Sequence, residues 1–352
     1  MLRWLLVAGA TIAVAIGWHS IAARQRADSL YQQGRGLLTT NPVAAERLLE
    51  EAVSVAGGDF PAAQVCWARA LVRTQRPVEA LGCFSLTKRP ALADPQDLLG
   101  LADDAMQFAV QKLATMALSA IPKDSAARPE AIGRLIGIAR QFGQLEQALE
   151  LADEATQLRP DDFLPWLRTG EIKEQLLDPF GAVTAYEESL KRDAPPDQRL
   201  MVLRSLTRLK ITLGEKDAAR RYQDEVTSLA ATRLPDDRLR EASLWRMEGN
   251  TEAAWKETLA LLDENPRNLT AIELSGTLAM DRGDWPSAES EFRKVIARQP
   301  WNKNAHYRLA QALQHLGQAN SAAEHFAVNR RLTATSLKIL RIRSAPDSGS
   351  LD

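Results

Sequence analysis

Three of the four histidines, His306, His315 and His325, fall within about twenty residues of one another, the kind of cluster from which a metal site is built. Their spacings of nine and ten do not return to one helical face, as paired ligands on a helix must. His306 also stands where Trp166 and Ile272 stand in other parts of the chain, in a packing position. Carboxylates come in pairs at Asp103-Asp104, Asp161-Asp162 and Asp236-Asp237. Such pairs can share acid and base roles, but these fall mostly at inferred turns, where a carboxylate caps a helix. Cys66 and Cys83 are too few for a disulfide framework or a four-thiolate zinc site, and are expected as two free buried thiols. There is no glycine-rich phosphate loop, no HExxH pair, no nucleophile elbow and no CxxC. The expectation is a protein without catalytic residues, cofactor or metal, and not an enzyme.

The elements that would position any site come from the composition and its periodicity. The 352 residues carry 44 Lys or Arg against 45 Asp or Glu, a net charge of −1. A general nucleic-acid or anionic-membrane binder needs a basic excess, which this balance lacks. The alanine-rich chain, with few β-branched or aromatic runs, leans helical. A fixed internal period then organises it. Ala45, Ala80, Ala114, Ala148, Ala182, Ala219, Ala254, Ala288 and Ala322 follow one another at thirty-four residues, apart from intervals of 35, 37 and 35.

Other columns keep phase with that alanine. Five residues before it stands glycine in Gly143, Gly214, Gly249, Gly283 and Gly317. Four after it stands a large side chain in Leu49, Phe84, Leu118, Tyr186, Phe292 and Phe326, and twelve after it Pro160, Pro266 and Pro300, with Pro195 one place late. Twelve before it the residue is small, as in Ala68, Ala102, Gly170, Ala242, Gly276 and Ala310. The glycine closes one helix in the left-handed conformation, and the proline stops the next. Asp161, Asp162, Asn268 and Asn302 stand where they can cap the helix that follows. The alanine and the small residue let two helices approach closely, and the large one fills the space one turn on. Each unit is therefore two amphipathic helices, too thin to bury both apolar faces, so neighbours must stack.

The pattern resembles the tetratricopeptide repeat, most closely at Ile272, Gly276, Gly283, Trp285, Ala288, Phe292, Val295 and Pro300. The units with Trp166, Gly170, Ala182, Tyr186 and Ser189, and with Leu309, Ala310, Gly317, Ala322 and Phe326, are similar to it as well. The resemblance implies an all-α fold, a right-handed superhelical solenoid of antiparallel helix pairs. Well-matched repeats are expected over 129–334 and degenerate ones over 26–128. There Thr40, Gln75 and Ala109 replace the glycine and leave the repeat count open. A capping helix is expected at 331–343 and a disordered tail at 344–352. The resemblance also implies that protein or peptide partners bind the concave face lined by the first helix of each unit. Phase places Arg204, Arg208 and Arg246 there, with Arg240 nearby and Tyr307, Gln311, Gln314 and His315 further on. The arginines can pair with acidic groups of a partner or form a solvated lining. The Lys and Asn by which some eukaryotic members clamp a C-terminal carboxylate are not at matching places.

Residues 4–23 read WLLVAGATIAVAIGWHSIAA, twenty residues without formal charge if His19 is neutral. A helix of that length rises about 30 Å, one hydrocarbon core, with Trp4 and Trp18 near headgroup level. An uncleaved anchor over 1–25 is one reading. A signal peptide cut after Ser20-Ile21-Ala22 is the other, leaving a soluble periplasmic binder. The anchor is favoured because the apolar run is nearly long enough to span and the cleavage site only passable. Arg24, Arg26 and Arg35 slightly outweigh Arg3 plus the terminal amine, so charge does not settle orientation, but a very short N-terminal tail most simply stays inside while the repeats are exported. The leading expectation is a membrane-anchored, non-catalytic scaffold for protein–protein contacts in an envelope or secretory assembly. An RNA-binding helical array is the weaker alternative. No nucleic acid and no small-molecule substrate are expected.

Overall fold

The structure is a computed structural model that describes residues 21–343, with side chains to 338. Residues 4–20 of the expected membrane segment at 4–23, and the expected disordered tail at 344–352, lie outside the described residues. All regular structure among the described residues is helical. The chain divides into two compact units, one ending at Pro160 and one beginning at Asp161. The division falls at one of the closing prolines, because α7 and α8, defined below, complete the first unit. Among the described residues no helix is long and apolar enough to cross a membrane.

In the first unit, α1 runs over residues 21–37, followed by α2 (Pro42–Val55), α3 (Pro61–Arg73), α4 (Pro77–Ser85) and α5 (Pro95–Gln107). Then come α6 (Gln111–Ser119), α7 (Arg128–Gln141) and α8 (Leu145–Leu158), with a short 3-10 turn at Pro90–Leu92 between α4 and α5. The first unit is thus four antiparallel hairpins, of which the first three, α1 to α6, make up the region expected to be degenerate. Gly34 lies against Leu49, where a β-carbon would come within 2.7 Å of Leu49 Cγ, so the small-against-large contact survives there.

In the second unit, α9 (Phe163–Gln175) pairs with α10 (Pro179–Leu190), and α11 (Pro196–Thr212) with α12 (Lys216–Leu229). The next pairs are α13 (Pro235–Met247) with α14 (Thr251–Glu264), and α15 (Leu269–Asp281) with α16 (Trp285–Arg298). The last is α17 (Lys303–His315) with α18 (Ala319–Arg343). The separate capping helix expected at 331–343 is instead the C-terminal part of α18. Neither glycine nor proline interrupts residues 319–343, so nothing ends that helix earlier.

The phase alanines, from Ala45 to Ala322, are all buried. A β-carbon on Gly170 would meet the Tyr186 ring at 2.5 Å, and one on Gly276 the Phe292 ring at 3.0 Å, which is the close approach inferred for those columns. Asn268 accepts the backbone N–H groups of Thr270 and Ala271, and Asn302 that of Ala305, both as caps. Asp162 precedes α9 without a side-chain cap bond. The pair Asp103-Asp104 lies inside α5 and not at a turn, with Asp104 buried. The turn that closes each first helix is left-handed in all the hairpins from α3 onward. Glycine supplies it at five positions, but Gln75, Ala109 and Leu177 adopt φ of 62°, 59° and 59° at the same place. These three are exposed, and their conformation costs a side chain about 1–2 kcal/mol.

Candidate functional site

In the second unit, successive first helices lie side by side, α11 beside α13, α13 beside α15 and α15 beside α17. The four predicted arginines fall along this first-helix face, and their carboxylate partners belong to the chain itself. Arg204 on α11 reaches Asp237 on α13 with both arms of its guanidinium, Nε to Oδ1 at 2.9 Å and Nη2 to Oδ2 at 2.8 Å. Arg208 donates to Glu174 on α9. Arg246 on α13 donates to both oxygens of Asp281 on α15. These partners stand 33, 34 and 35 residues apart, one repeat, so each bond ties a first helix to its neighbour. Arg240 donates to the same Asp237 from within α13, while its Nε is buried without a partner.

Asp237 sits in the first turn of α13, where it also accepts the Leu234 backbone N–H. Burial pushes its carboxyl upward, but Arg204, Leu234 and Arg240 together outweigh that and hold it below the ordinary range. Burial lowers Arg240 despite the same carboxylate. Between α11, α13 and α15 Arg240 borders a recess of about 260 Å³, lined also by Arg208, Ile211, Asp236, Leu239 and Thr270. A recess with an apolar floor and guanidinium walls suits a side chain or short stretch of another protein.

The four predicted residues of α17 do not join that recess. Tyr307 is exposed, its ring edge-on to Phe326 at 5.7 Å. Gln311 is half-buried and Gln314 exposed. His315 stacks flat on Trp285, at the start of α16, at 3.8 Å. The histidine cluster separates accordingly. His306 is buried as its packing position implied, with Nε2 at 3.0 Å from the Pro300 carbonyl and Nδ1 at 3.0 Å from Nδ1 of His325. If His306 donates to Pro300 through Nε2, its Nδ1 accepts from His325. Burial, then His306 and Arg293, lower the pKa of His325. Among the described residues no group of three or more His, Cys, Asp or Glu is placed to hold a metal ion.

The first unit carries groups that sequence reasoning passed over. Asp97, in the first turn of α5, is buried beneath Arg35 of α1, Arg69 of α3 and the Tyr31 hydroxyl, at 3.0, 3.1 and 3.3 Å. Asp104, two turns along α5, receives Arg69 at 3.1 Å and Arg73 at 2.6 Å. Gly100 makes room for this cluster, because a β-carbon there would meet the Arg69 guanidinium at 2.5 Å. Beside it a recess of about 350 Å³ opens between α5, α6 and α7. Ala102, Met106, Leu118 and Ile138 line it, with Arg134 and Asp103 paired at its rim. A larger hollow of about 580 Å³ lies between α1 and the end of α2, bordered by Arg24, Ala27, Asp28, Val55, Phe60 and Arg89. The available signal was opposite charge one repeat apart, as in Arg69 and Asp104, 35 residues from each other. Both cysteines are free. Burial pushes the Cys66 thiol up, and the Cys83 thiol up to about 12, so neither is a ready nucleophile.

Residues 279–328, from the end of α15 into α18, match the family model described as tetratricopeptide repeat. No curated protein matches the chain. Among solved structures, a tetratricopeptide repeat protein from Parabacteroides merdae ATCC 43184 superposes with a TM-score of 0.57 at 18% identity. The match covers 72% of this chain and 99% of that one. PilW, described as a widely conserved type IV pilus biogenesis factor, gives 0.45 at 17% identity over 58% of this chain and 92% of its own. PilF of Pseudomonas aeruginosa gives 0.39 at 18% identity over 73% and 99%.

Proposed function

From the premise that the chain is a tetratricopeptide-repeat protein, we propose that it is a non-catalytic scaffold that holds a protein or peptide partner on its concave, first-helix face. The observation that carries this reading is the pair of recesses of about 350 and 260 Å³, one in each unit, opening beside first helices and bordered by guanidinium groups. Apolar floor with arginine at the rim is the composition of an interface centre. The strongly bonded carboxylates, Asp97, Asp104 and Asp237, are engaged by arginines that join first helices. That is a scaffold's use of charge: it stiffens the docking face and leaves no carboxylate of the three free to move a proton.

The membrane tether belongs to the same proposal. Residues 4–23 anchor the chain in the bilayer with the repeats on the exported side, periplasmic in a bacterium, where envelope or secretory assemblies are built. Crosslinking in intact membranes, followed by mass spectrometry of the purified full chain, tests the scaffold. Protein partners joined to lysines near the first helices are the expected product, and a chain that crosslinks to no other protein would overturn it. N-terminal sequencing tests the tether: an intact Met1 or Leu2 supports an anchor, and a start at Ala23 supports the cleaved, soluble form.

A further inference from the structure

One arginine of the first-helix face lacks what the others have. Arg134, Arg240 and Arg308 occupy the same place in their hairpins, fourteen residues before the phase alanine. Arg134 binds Asp103 and Glu130, and Arg240 binds Asp237. Arg308, on α17, makes no ion pair and donates no hydrogen bond among the described residues. It is half-buried all the same. Burial, and then the guanidinium of Arg246, hold its pKa below the ordinary value, while Glu273 and Asp281 on α15 act in the opposite sense. Those two carboxylates are already engaged, Asp281 by Arg246 and Glu273 by the side-chain amide of Asn302. Arg134 and Arg240 draw their carboxylates from the preceding first helix or from their own, but α17 carries no Asp or Glu and the two carboxylates of α15 near Arg308 are taken.

The surroundings are cationic as well. Residues 303–343 carry seven Lys or Arg against the single acid Glu324, in a chain whose net charge is −1. The preceding hairpin, 269–298, carries four basic residues against five acidic ones. A partly desolvated guanidinium without a counter-ion destabilises the fold unless something supplies that counter-ion.

We propose that Arg308 is the anchor of an acidic-peptide site, where a carboxylate of the docked partner takes the place that a neighbouring helix's carboxylate fills elsewhere on the first-helix face. The proposal rests on the scaffold reading and specifies the partner's chemistry: a protein segment with an Asp or Glu, or a free C-terminus, seated against α17. A carboxylate matches the planar fork of a guanidinium with two parallel hydrogen bonds. Tyr307, exposed beside it, offers apolar area and a hydroxyl to the adjoining residue of the peptide. A bilayer surface fits worse, because Arg308 is half-buried and a plane of headgroups reaches only what stands exposed. A nucleic-acid backbone fits worse too, because it needs a row of open cations, and Arg204, Arg208, Arg240 and Arg246 are neutralised.

The test uses the full chain in detergent and an immobilised library of random decapeptides, made with free and with amidated C-termini. Wild-type protein is expected to select peptides enriched in Asp or Glu at one position. Enrichment in the amidated set identifies a side-chain carboxylate, and enrichment only in the free set identifies a chain terminus. Arg308→Gln should weaken the selected peptides about tenfold and erase the acid preference. Arg330→Gln, which removes an exposed charge on α18 of the same hairpin, should change neither. Because Arg308→Gln removes an unpaired cation, its thermal midpoint should equal or exceed the wild type, which separates lost binding from lost folding. Selection without acid preference, or the same preference in Arg308→Gln, overturns the anchor while peptide binding still supports the scaffold. Retention of no peptide, with no protein crosslink in membranes, overturns both. Binding to phosphatidylglycerol vesicles that Arg308→Gln abolishes, with no acidic peptide selected, overturns the proposal in favour of a lipid surface.

Discussion

The two units solve one problem with different residues. Both place a buried Asp in the first turn of a first helix, two residues after a proline: Asp97 after Pro95 in the first unit, Asp237 after Pro235 in the second. There the helix N-terminus favours negative charge, and an arginine from the preceding first helix completes the contact, Arg69 in one case and Arg204 in the other. The first unit adds Arg35 and Tyr31 from α1, so its carboxylate joins three helices. The second adds Arg240 from the same helix, so its carboxylate joins two and leaves a guanidinium beside an open recess. The closing turns differ in the same spirit. Two of the three non-glycine left-handed turns, Gln75 and Ala109, belong to the first unit, which strays furthest from the repeat pattern. What the fold requires is a turn of given hand and a small residue at the crossing. The residue type at the turn is negotiable, at a cost in strain.

Removing the hub carboxylates should break this parallel most severely. Asp97→Ala leaves Arg35 and Arg69 short of a counter-ion in a buried setting and should lower stability by about 3–5 kcal/mol; Asp237→Ala, orphaning fewer helices, should lower it less. Urea titrations of the two variants check the order, and equal losses would show that the extra partners of Asp97 contribute nothing. Next in size is overpacking at the crossing. Gly170→Ala pushes a methyl into the Tyr186 ring and should lower stability by about 1–3 kcal/mol, whereas Gly137→Ala, where a β-carbon meets nothing within 4 Å, should not lower it.

Smaller effects sharpen the comparison of turns. Gln75→Gly, Ala109→Gly and Leu177→Gly relieve left-handed strain and should each change stability favourably by up to about 1 kcal/mol, the gain being reduced by the freer unfolded chain. Gly283→Ala at the equivalent turn should lower it, as thermal melts can show. The smallest effect is one of pH. His325 has a folded pKa below its unfolded one, so the folded chain takes up protons less readily. Its contribution is complete above the ordinary imidazole range and fades as pH falls through that range towards the lower folded value. Hydrogen exchange over α17 and α18 should be more protected at pH 7 than at pH 5, and His325→Gln should flatten the difference.

Most of the fold was legible because it rests on columns of small residues. An alanine every thirty-four residues, buried at every position, needs no tertiary information to be recognised. The asparagine caps were legible for a similar reason, since a cap acts within three residues. The left-handed turn at Leu177 was not, because the signal sought was glycine and a leucine there gives no local sign of a positive φ. Phase put Arg204, Arg208, Arg240 and Arg246 on a shared face, but an arginine reaches far enough to choose between carboxylates above, below or within its own helix. Only the coordinates show that Arg208 turns back to Glu174 while Arg204 turns forward to Asp237. Arg308 was invisible for the opposite reason, as its distinguishing property is a partner it lacks.

That a partner docks on the first-helix face can be tested with a photo-crosslinking amino acid placed singly in the full chain in membranes. Thr212 and Ser243, which border the recess between α11 and α13, would be compared with Lys256, exposed on the second helix α14. The account predicts that positions 212 and 243 form adducts with a common protein and that 256 does not. Adducts from 256 alone, or equally from all three positions, would contradict it.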